Sequence, residues 1–465
     1  MSKNYRSIRL FEQFKDAGVI SKDVCKDLCD KIGGLLQQIE PTAVEDWSTI
    51  RDKWDFAQVP EAERVIPMNA ANLCPAPTEV VEAINTFRTE YNKNVSQQER
   101  TAAGASAIQE ARHAIAVELG LADPINEGDP VPDVVDLAIV RNASEANNAL
   151  NAGYSQWNPD GQDNIVIWDQ NHPTNYDAWW LRGGRTAEDE DYESRLFEIR
   201  VVTLPTDPSA EQIRDAFANQ MDENTKFLTF TETSNVSGIR IPRSVISELF
   251  DIANNSNCHL HVDGAQTWGA QQVNLSSEIG AANTFLKCHS FSASSHKWFC
   301  GPKETGILYM QANKAVNFNP SIFAYDYKIT IPPWNNLPAS ARRFELLGQR
   351  DDVNIVAMLV EQDFFTEIGQ NVIEERIREL ATNLKTQLQT SSWNLTTPMD
   401  SNLSHGVVIS EVPENPGQPS LYDYLYDEHR IATSSSGGIR ICPHIYNLEE
   451  DIDNVVSAMN QWRGS

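Results

Sequence analysis

From about residue 100 onward the chain alternates short apolar runs with amphipathic stretches, and this alternation narrows the folds open to it. The apolar runs are Val134–Val140, Asn164–Trp168, Ile199–Leu204, Lys226–Thr231, His259–Asp263 and Thr305–Met310. Helical patterns such as Ser209–Gln220 and Pro242–Asn254 lie between some of them. Short continuous apolar runs suit strands buried on both faces, and strands joined through helices pair in parallel. The spacing predicts an α/β chain with a mostly parallel sheet flanked by helices. Ligands of such sheets bind outside the carboxyl ends of the strands, so residues just after each run are the first candidates for a site.

Residues 1–65 read as helical, with Val24, Leu28, Ile32 and Leu36 at amphipathic spacing. An irregular Pro/Asn stretch, Ile66–Pro75, follows. Further on, Ile331-Pro332-Pro333-Trp334 precedes a helix-rich tail whose long periodic helix runs from about Asn354 to Ser391. The predicted organisation is an N-terminal helical segment 1–65 packing with the small domain, a large domain 66–330 and a small domain 331–465.

The chain's 465 residues suffice for two packed domains. Its 41% hydrophobic and 22% charged residues argue against disorder. A net charge of −28 lacks the basic footprint that nucleic acid or an anionic lipid surface needs, so neither is expected as a partner. The seven cysteines are scattered; Cys25 and Cys29 have no second Cys/His pair to complete a zinc site, and no metal is expected. Reduced cysteines, the absence of an apolar leader core and of any bilayer-length apolar run predict a soluble, cytoplasmic protein.

The segment with most chemistry is Ser292-Ala293-Ser294-Ser295-His296-Lys297-Trp298-Phe299-Cys300-Gly301-Pro302. A lysine among small hydroxyl residues, a histidine and a Gly-Pro turn suits an imine-forming amine close to a phosphate. Upstream, His259-Leu260-His261-Val262-Asp263-Gly264-Ala265-Gln266 is a strand ending in a carboxylate. A carboxylate at the pyridine nitrogen of pyridoxal 5′-phosphate keeps that ring protonated, an electron sink for a carbanion at Cα. Alone, the lysine reads equally as a loop lysine and Asp-Gly as a turn; together they favour the cofactor reading. Arg141-Asn142-Ala143-Ser144-Glu145-Ala146, between a strand and a helix, offers an anion site at a helix N-terminus or an ordinary cap.

Together these segments resemble the class V aminotransferase family, which includes cysteine desulfurases, isopenicillin N epimerase-like proteins and C–S lyases. The resemblance implies the fold-type I architecture of pyridoxal-phosphate transferases: a large domain with a mostly parallel sheet plus a smaller α+β C-terminal domain. It implies Lys297 as the Schiff-base lysine, His296 as a phosphate ligand, Asp263 as the partner of the pyridine nitrogen and Gln266 as the amide near the phenolic oxygen. Ala143 and Ser144 match the phosphate-binding turn, and Asn235, in Thr233-Ser234-Asn235-Val236, matches the asparagine of a Ser-Asn-Val motif. His172, in Asn171-His172-Pro173, is similar to the histidine that stacks on the cofactor and shuttles protons. Arg440, in Gly438-Ile439-Arg440-Ile441, resembles the arginine that grips the substrate α-carboxylate. Asn69 matches a segment lining the active-site mouth. The resemblance also implies a homodimer acting on a small amino-acid substrate.

The chain departs from the family in three places. Residues His429–Gly437, where a desulfurase carries its nucleophilic thiol, contain no cysteine, and Cys442 lies beyond Arg440. Gly348-Gln349-Arg350-Asp351 resembles a Gly-Thr-Arg-Asp segment that reaches a neighbouring subunit's cofactor phosphate, with Gln349 in place of threonine. The interval from Asp263 to Lys297 is long, suggesting an insertion around Leu275–Ala282. Trp168, Tyr176, Trp179, Trp180, Tyr325, Tyr327 and Trp334 are available for a substrate pocket or for core packing. The expected reaction is a C–S lyase-type β-elimination. Transamination and epimerisation stand as alternatives, behind them a desulfurase or a non-catalytic binding protein.

Overall fold

The computed structural model describes residues 5–37, 46–96, 98–126, 129–159, 161–185, 196–276, 285–320, 322, 340–345 and 348–464. A short strand, β1 (Ile66–Pro67), precedes the strands of the central sheet: β2 (Leu137–Val140), β3 (Asn164–Trp168), β4 (Gly184–Arg185), β5 (Phe197–Val202), β6 (Thr225–Thr231), β7 (His259–Asp263), β8 (Ser290–Ser294) and β9 (Gly306–Met310). Their spatial order is β2-β9-β8-β7-β6-β3-β5-β4. Only β9 runs antiparallel to its neighbours; the remaining pairings are parallel. The predicted α/β architecture is therefore the observed one. Some of the intervening helices carry side-chain caps. At the helix Ala210–Ala218, the Ser209 hydroxyl accepts from the Gln212 amide and the Gln212 side chain accepts from the Ser209 amide.

Two readings of the elements need correction. Strand β8, Ser-Phe-Ser-Ala-Ser, is missing from the predicted strands because three of its five residues are polar, yet it is buried throughout. Its serines are satisfied inside the protein: Ser290 by His259 and His261, Ser292 by Asn147, and Ser294 by the Ala143 amide. The predicted continuous helix 354–391 is two helices, Asp352–Ile368 and Gln370–Thr390. They break at Gly369, whose φ of 94° and ψ of 123° lie outside helical space and favour glycine.

Leu28, Ile32 and Leu36 are buried as their spacing predicts, and Val24 packs at the margin. The N-terminal helices Arg6–Asp16 and Lys22–Gln37 share one core with the helices Thr78–Tyr91, Gln98–Glu118 and Asp352–Ile368 and with one face of the sheet. A second core joins Met68 to residues between Leu380 and Trp462, among them β10 (Val408–Ser410), β11 (Ile431–Ala432) and β12 (Ile439–Ile441). The helices Arg6–Asp16 and Lys22–Gln37 contribute to the larger core, while further along the N-terminal segment Arg51 pairs with Asp451 at 3.3 Å and the Ala62 carbonyl accepts from Arg430 at 3.1 Å. Strand β1 pairs with β11, and β10 with β12. The Pro-rich segment 331–334 and most of the suggested insertion near 275–282 lie outside the described residues. No described helix is long and apolar enough to cross a membrane.

Candidate active site

Asp263 closes β7 and is 2% exposed. Its Oδ2 accepts from Asn147 Nδ2 at 2.8 Å and its Oδ1 from the Ala265 amide at 3.0 Å. Gly264 follows because a Cβ there would stand 2.0 Å from the ring of Phe291 in β8. The Asp-Gly pair is thus a packing requirement beneath the carboxylate as well as a turn. Lys297 sits in the turn after β8, half-buried. Burial lowers its amine pKa; the Asp263 carboxylate opposes that shift and the Arg440 guanidinium adds to it. Both charges act on Lys297 although 34 and 143 residues separate it from them.

His172 is exposed. Its Nδ1 meets Thr174 Oγ1 at 2.9 Å and accepts from the Thr174 amide at 3.3 Å. Desolvation by surrounding protein holds its pKa below the ordinary imidazole value, with Asp263 pulling upward and Lys297 downward. His172 therefore shares the field of Asp263 and Lys297.

At the neighbouring helix Ala143–Gly153, Asn142 is the cap: its side chain accepts from the Glu145 amide at 2.9 Å. The Ala143 amide donates to Ser294 Oγ at 2.8 Å, so it is already engaged, whereas the Ser144 amide and hydroxyl have no donor–acceptor partner among the described residues. His296 is half-buried with Nδ1 unpartnered, and burial, then Lys297 and Lys303, pushes its pKa down to about 4. Gln266 is buried with both ends of its amide engaged, Nε2 donating to Ala71 O at 3.0 Å and Oε1 accepting from Trp298 Nε1 at 2.7 Å. Gln349 is exposed and lines a cleft of about 370 Å³ with Arg141, Glu304 and Arg350. It makes no hydrogen bond to the Asp263–Lys297 group among the described residues.

Arg440, in the middle of β12, is 4% exposed. Its Nη1 donates to the Asn235 carbonyl at 3.1 Å and its Nη2 to Asn69 Oδ1 at 3.2 Å, while Nε has no partner. Arg440, Asn235 and Asn69 thus form one group, Asn235 contributing its backbone. Trp168 and Trp179 are core residues, 0% and 1% exposed, whereas Tyr176 and Trp180 are half-buried. Tyr325, Tyr327 and Trp334 lie outside the described residues. None of the seven cysteines is exposed, and burial pushes the Cys442 thiol up to about 11.

Asn147 and Thr174 were not among the predicted site residues. Asn147 Nδ2 also approaches Thr174 Oγ1 at 3.3 Å, and Asn147 Oδ1 receives His261 and Ser292. The available signal was an asparagine, a poor helix former, one turn into the helix capped by Asn142.

The Aminotransferase class-V family profile matches residues 69–455. An isopenicillin N epimerase of Amycolatopsis lactamdurans is 25% identical over 57% of this chain and 67% of its own length. A probable cysteine desulfurase of Halobacterium salinarum is 23% identical over 87% of this chain and 93% of its own. Among solved structures, a cysteine desulfurase from Escherichia coli superposes with a TM-score of 0.70 at 17% identity, covering 91% of this chain and 99% of that one. A cystine C–S lyase solved with cysteine persulfide gives 0.69 at 18% identity, over 86% of this chain and 98% of that one. With the profile matched over most of its length, the chain belongs to the class V aminotransferase family of pyridoxal-5′-phosphate-dependent, fold-type I enzymes.

Proposed function

We propose that this enzyme binds an amino acid through its α-carboxylate and eliminates a substituent from Cβ, a C–S lyase-type reaction. The residues fit the cofactor. Asp263 is a carboxylate held by two donors, Lys297 is a desolvated amine within its field, and His296 Nδ1 is a buried polar atom still without a partner. In this reading Lys297 carries the cofactor, Ala143, Ser144 and His296 surround its phosphate, His172 covers its ring and Gln266 fixes the floor through Ala71 and Trp298. Gln349 would serve the second copy of a homodimer. When bound, the cofactor's protonated ring takes up the electron pair left at the substrate Cα.

The chain's own residues divide the remaining work. Arg440 receives the α-carboxylate on Nε–H and one Nη–H as a bidentate pair, its plane fixed by Asn235 and Asn69. Lys297 Nζ removes the Cα proton, and its lowered pKa raises the share of neutral amine available as base. Asp263 keeps a proton on the ring nitrogen. The observation that carries elimination over desulfuration is that no cysteine is exposed and none occurs in residues 429–437. A thiol that accepts sulfur must be reachable and ionisable.

The deciding experiment gives the purified holoenzyme amino acids and S-conjugated cysteines, and measures pyruvate, ammonia, 2-keto acid, racemised substrate and pyridoxamine form separately. Pyruvate and ammonia in equal amounts are expected, and Lys297→Ala abolishes both. A single turnover that ends in the pyridoxamine form makes the enzyme a transaminase. Inversion at Cα without pyruvate makes it an epimerase, the activity named for the Amycolatopsis relative.

A further inference from the structure

Beneath Asp263 a line of buried polar side chains runs across the sheet from β7 and β8 to the helix Ala143–Gly153. His259 Nε2 meets Ser290 Oγ at 2.8 Å, and Ser290 Oγ meets His261 Nδ1 at 2.9 Å. His261 Nε2 meets Asn147 Oδ1 at 3.0 Å, and Asn147 Nδ2 reaches Asp263 Oδ2 at 2.8 Å. All five residues are at most 3% exposed. Ser292 Oγ adds a second contact to Asn147 Oδ1 at 2.8 Å and lies 3.4 Å from His261 Nε2.

The direction of every hydrogen in this line follows from its end. A carboxylate only accepts, so the Asn147 atom facing Asp263 is its NH₂. The Asn147 oxygen then faces His261 and Ser292, which must both donate to it. His261 therefore carries its proton on Nε2 and has a bare Nδ1. That Nδ1 accepts from the Ser290 hydroxyl, whose oxygen in turn accepts from His259 Nε2–H. His259 is left with a bare Nδ1, and that atom indeed has no partner. The opposite tautomer of His261 would set a bare nitrogen against the Asn147 oxygen. Flipping Asn147 to relieve this would set that oxygen against the Asp263 carboxylate. Only one arrangement leaves no repelling pair.

We propose that His259, Ser290, His261 and Asn147 form a one-way donor chain whose positioning residue, Asn147, holds Asp263 as an oriented anion for the ring nitrogen of the bound cofactor. Successive donors pointing the same way polarise one another and favour negative charge at the accepting end. Burial keeps both histidines neutral: it lowers the His261 pKa to about 4 and holds that of His259 well below the ordinary imidazole value. A neutral imidazole is what the chain needs, because a second proton on His261 would turn Nδ1 from acceptor to donor and reverse the link to Ser290. Asn147 and His261 touch neither substrate nor cofactor; they act through Asp263. This inference rests on the cofactor assignment above and extends it to the residues that make Asp263 fit for it.

The test has two parts. First, nitrogen NMR of selectively ¹⁵N-histidine-labelled protein, before and after cofactor is added, reads the His261 tautomer. Protonated Nε2 with bare Nδ1 is expected in both forms, and protonated Nδ1 or a cationic ring overturns the proposal. Second, the cofactor dissociation constant is measured by titrating apoprotein with pyridoxal phosphate. Asn147→Ala and His261→Leu each weaken binding about tenfold or more, the scale of one hydrogen bond to a charged group. His261→Gln, whose amide can both donate to Asn147 and accept from Ser290, restores binding to within about threefold of wild type. Equal losses in His261→Gln and His261→Leu, or no loss in Asn147→Ala, would show that the line merely fills space. Should wild type bind no pyridoxal phosphate at all, the cofactor assignment fails, while the tautomer result still reports on the donor chain.

Discussion

Arg440 owes its orientation to two oxygens remote in sequence, the Asn235 carbonyl and Asn69 Oδ1. Lysine in its place offers one point charge and cannot span both while facing a carboxylate. Arg440→Lys is therefore expected to raise KM for the amino acid about tenfold or more and lower kcat less, because the lost contact exists in ground and transition states alike. Steady-state kinetics checks this; an unchanged KM would remove Arg440 from the substrate site. Gly264 makes a purely steric prediction. With a Cβ 2.0 Å from the Phe291 ring, Gly264→Ala should lose about 1–3 kcal/mol in urea unfolding. Gly264→Ala with Phe291→Leu should regain part of that loss, since the two sites share one space. Failure of the second substitution to help would mean that the strain lies in the backbone. Residue identity told much of this in advance: a lysine after a hydroxyl-rich strand, an aspartate at a strand end and an arginine between two isoleucines near the C-terminus each have few alternative uses. Asn147 and the two histidines of β7 were illegible for a physical reason. Their partners are serines and asparagines, ordinary in any sequence, and only pairing across the sheet makes them a chain.

At the scale of elements, the sheet was read from apolar runs, and it failed at β8, where polarity is cancelled by partners, and at the two-residue edge strand β4, too short to carry a pattern. The helix break at Gly369 was hidden by apolar residues that keep their period on both sides of it. Because Gly369 has φ of 94°, Gly369→Ala should cost about 1–3 kcal/mol without fusing the two helices. Circular dichroism should show unchanged helix content, with a lower urea midpoint. Asp363, on the first of these helices, ties down the N-terminal helix: Ser7 donates to Oδ2 through its amide at 2.9 Å and its hydroxyl at 2.6 Å. Burial raises this carboxyl from 3.8 to about 6, against the lowering influence of Ser7, Arg6 and Arg9. The folded state holds the proton more tightly than the unfolded state. Its contribution is thus fully present below about pH 4 and is lost as pH rises through about 6. Asp363→Asn can still accept from Ser7 but cannot ionise. Relative to wild type, it should gain roughly 1–3 kcal/mol between pH 4 and pH 7.5. A wild-type-minus-variant difference that is flat with pH would show that Asp363 titrates normally.

At the scale of the molecule, the site draws on both cores: Asp263 and Lys297 follow strands of the large sheet, and Arg440 comes from β12 in the C-terminal core. Apolar periodicity cannot reveal such a junction, since each core satisfies its own pattern. The family resemblance supplied it instead. Net charge, by contrast, is legible from composition alone, and at −28 it sets two electrostatic effects against each other. Repulsion among excess carboxylates destabilises the compact state, and salt relieves it. Ion pairs between elements, such as Arg51 with Asp451 at 3.3 Å and Arg376 with Glu449, stabilise it, and salt weakens them where they are exposed. Asp451 is 2% exposed and screened little, and exposed pairs contribute about 0–1 kcal/mol each. Repulsion should therefore win at pH 8. Raising NaCl from about 50 to about 500 mM, which shortens the screening length to about 4 Å, should raise the melting temperature by a few degrees. Near pH 5, where carboxylates begin to take up protons, the same salt step should do much less. Scanning calorimetry at the two pH values measures the difference. A melting temperature that falls with salt at pH 8 would mean that the ion pairs joining the helices outweigh the surplus charge spread over the surface.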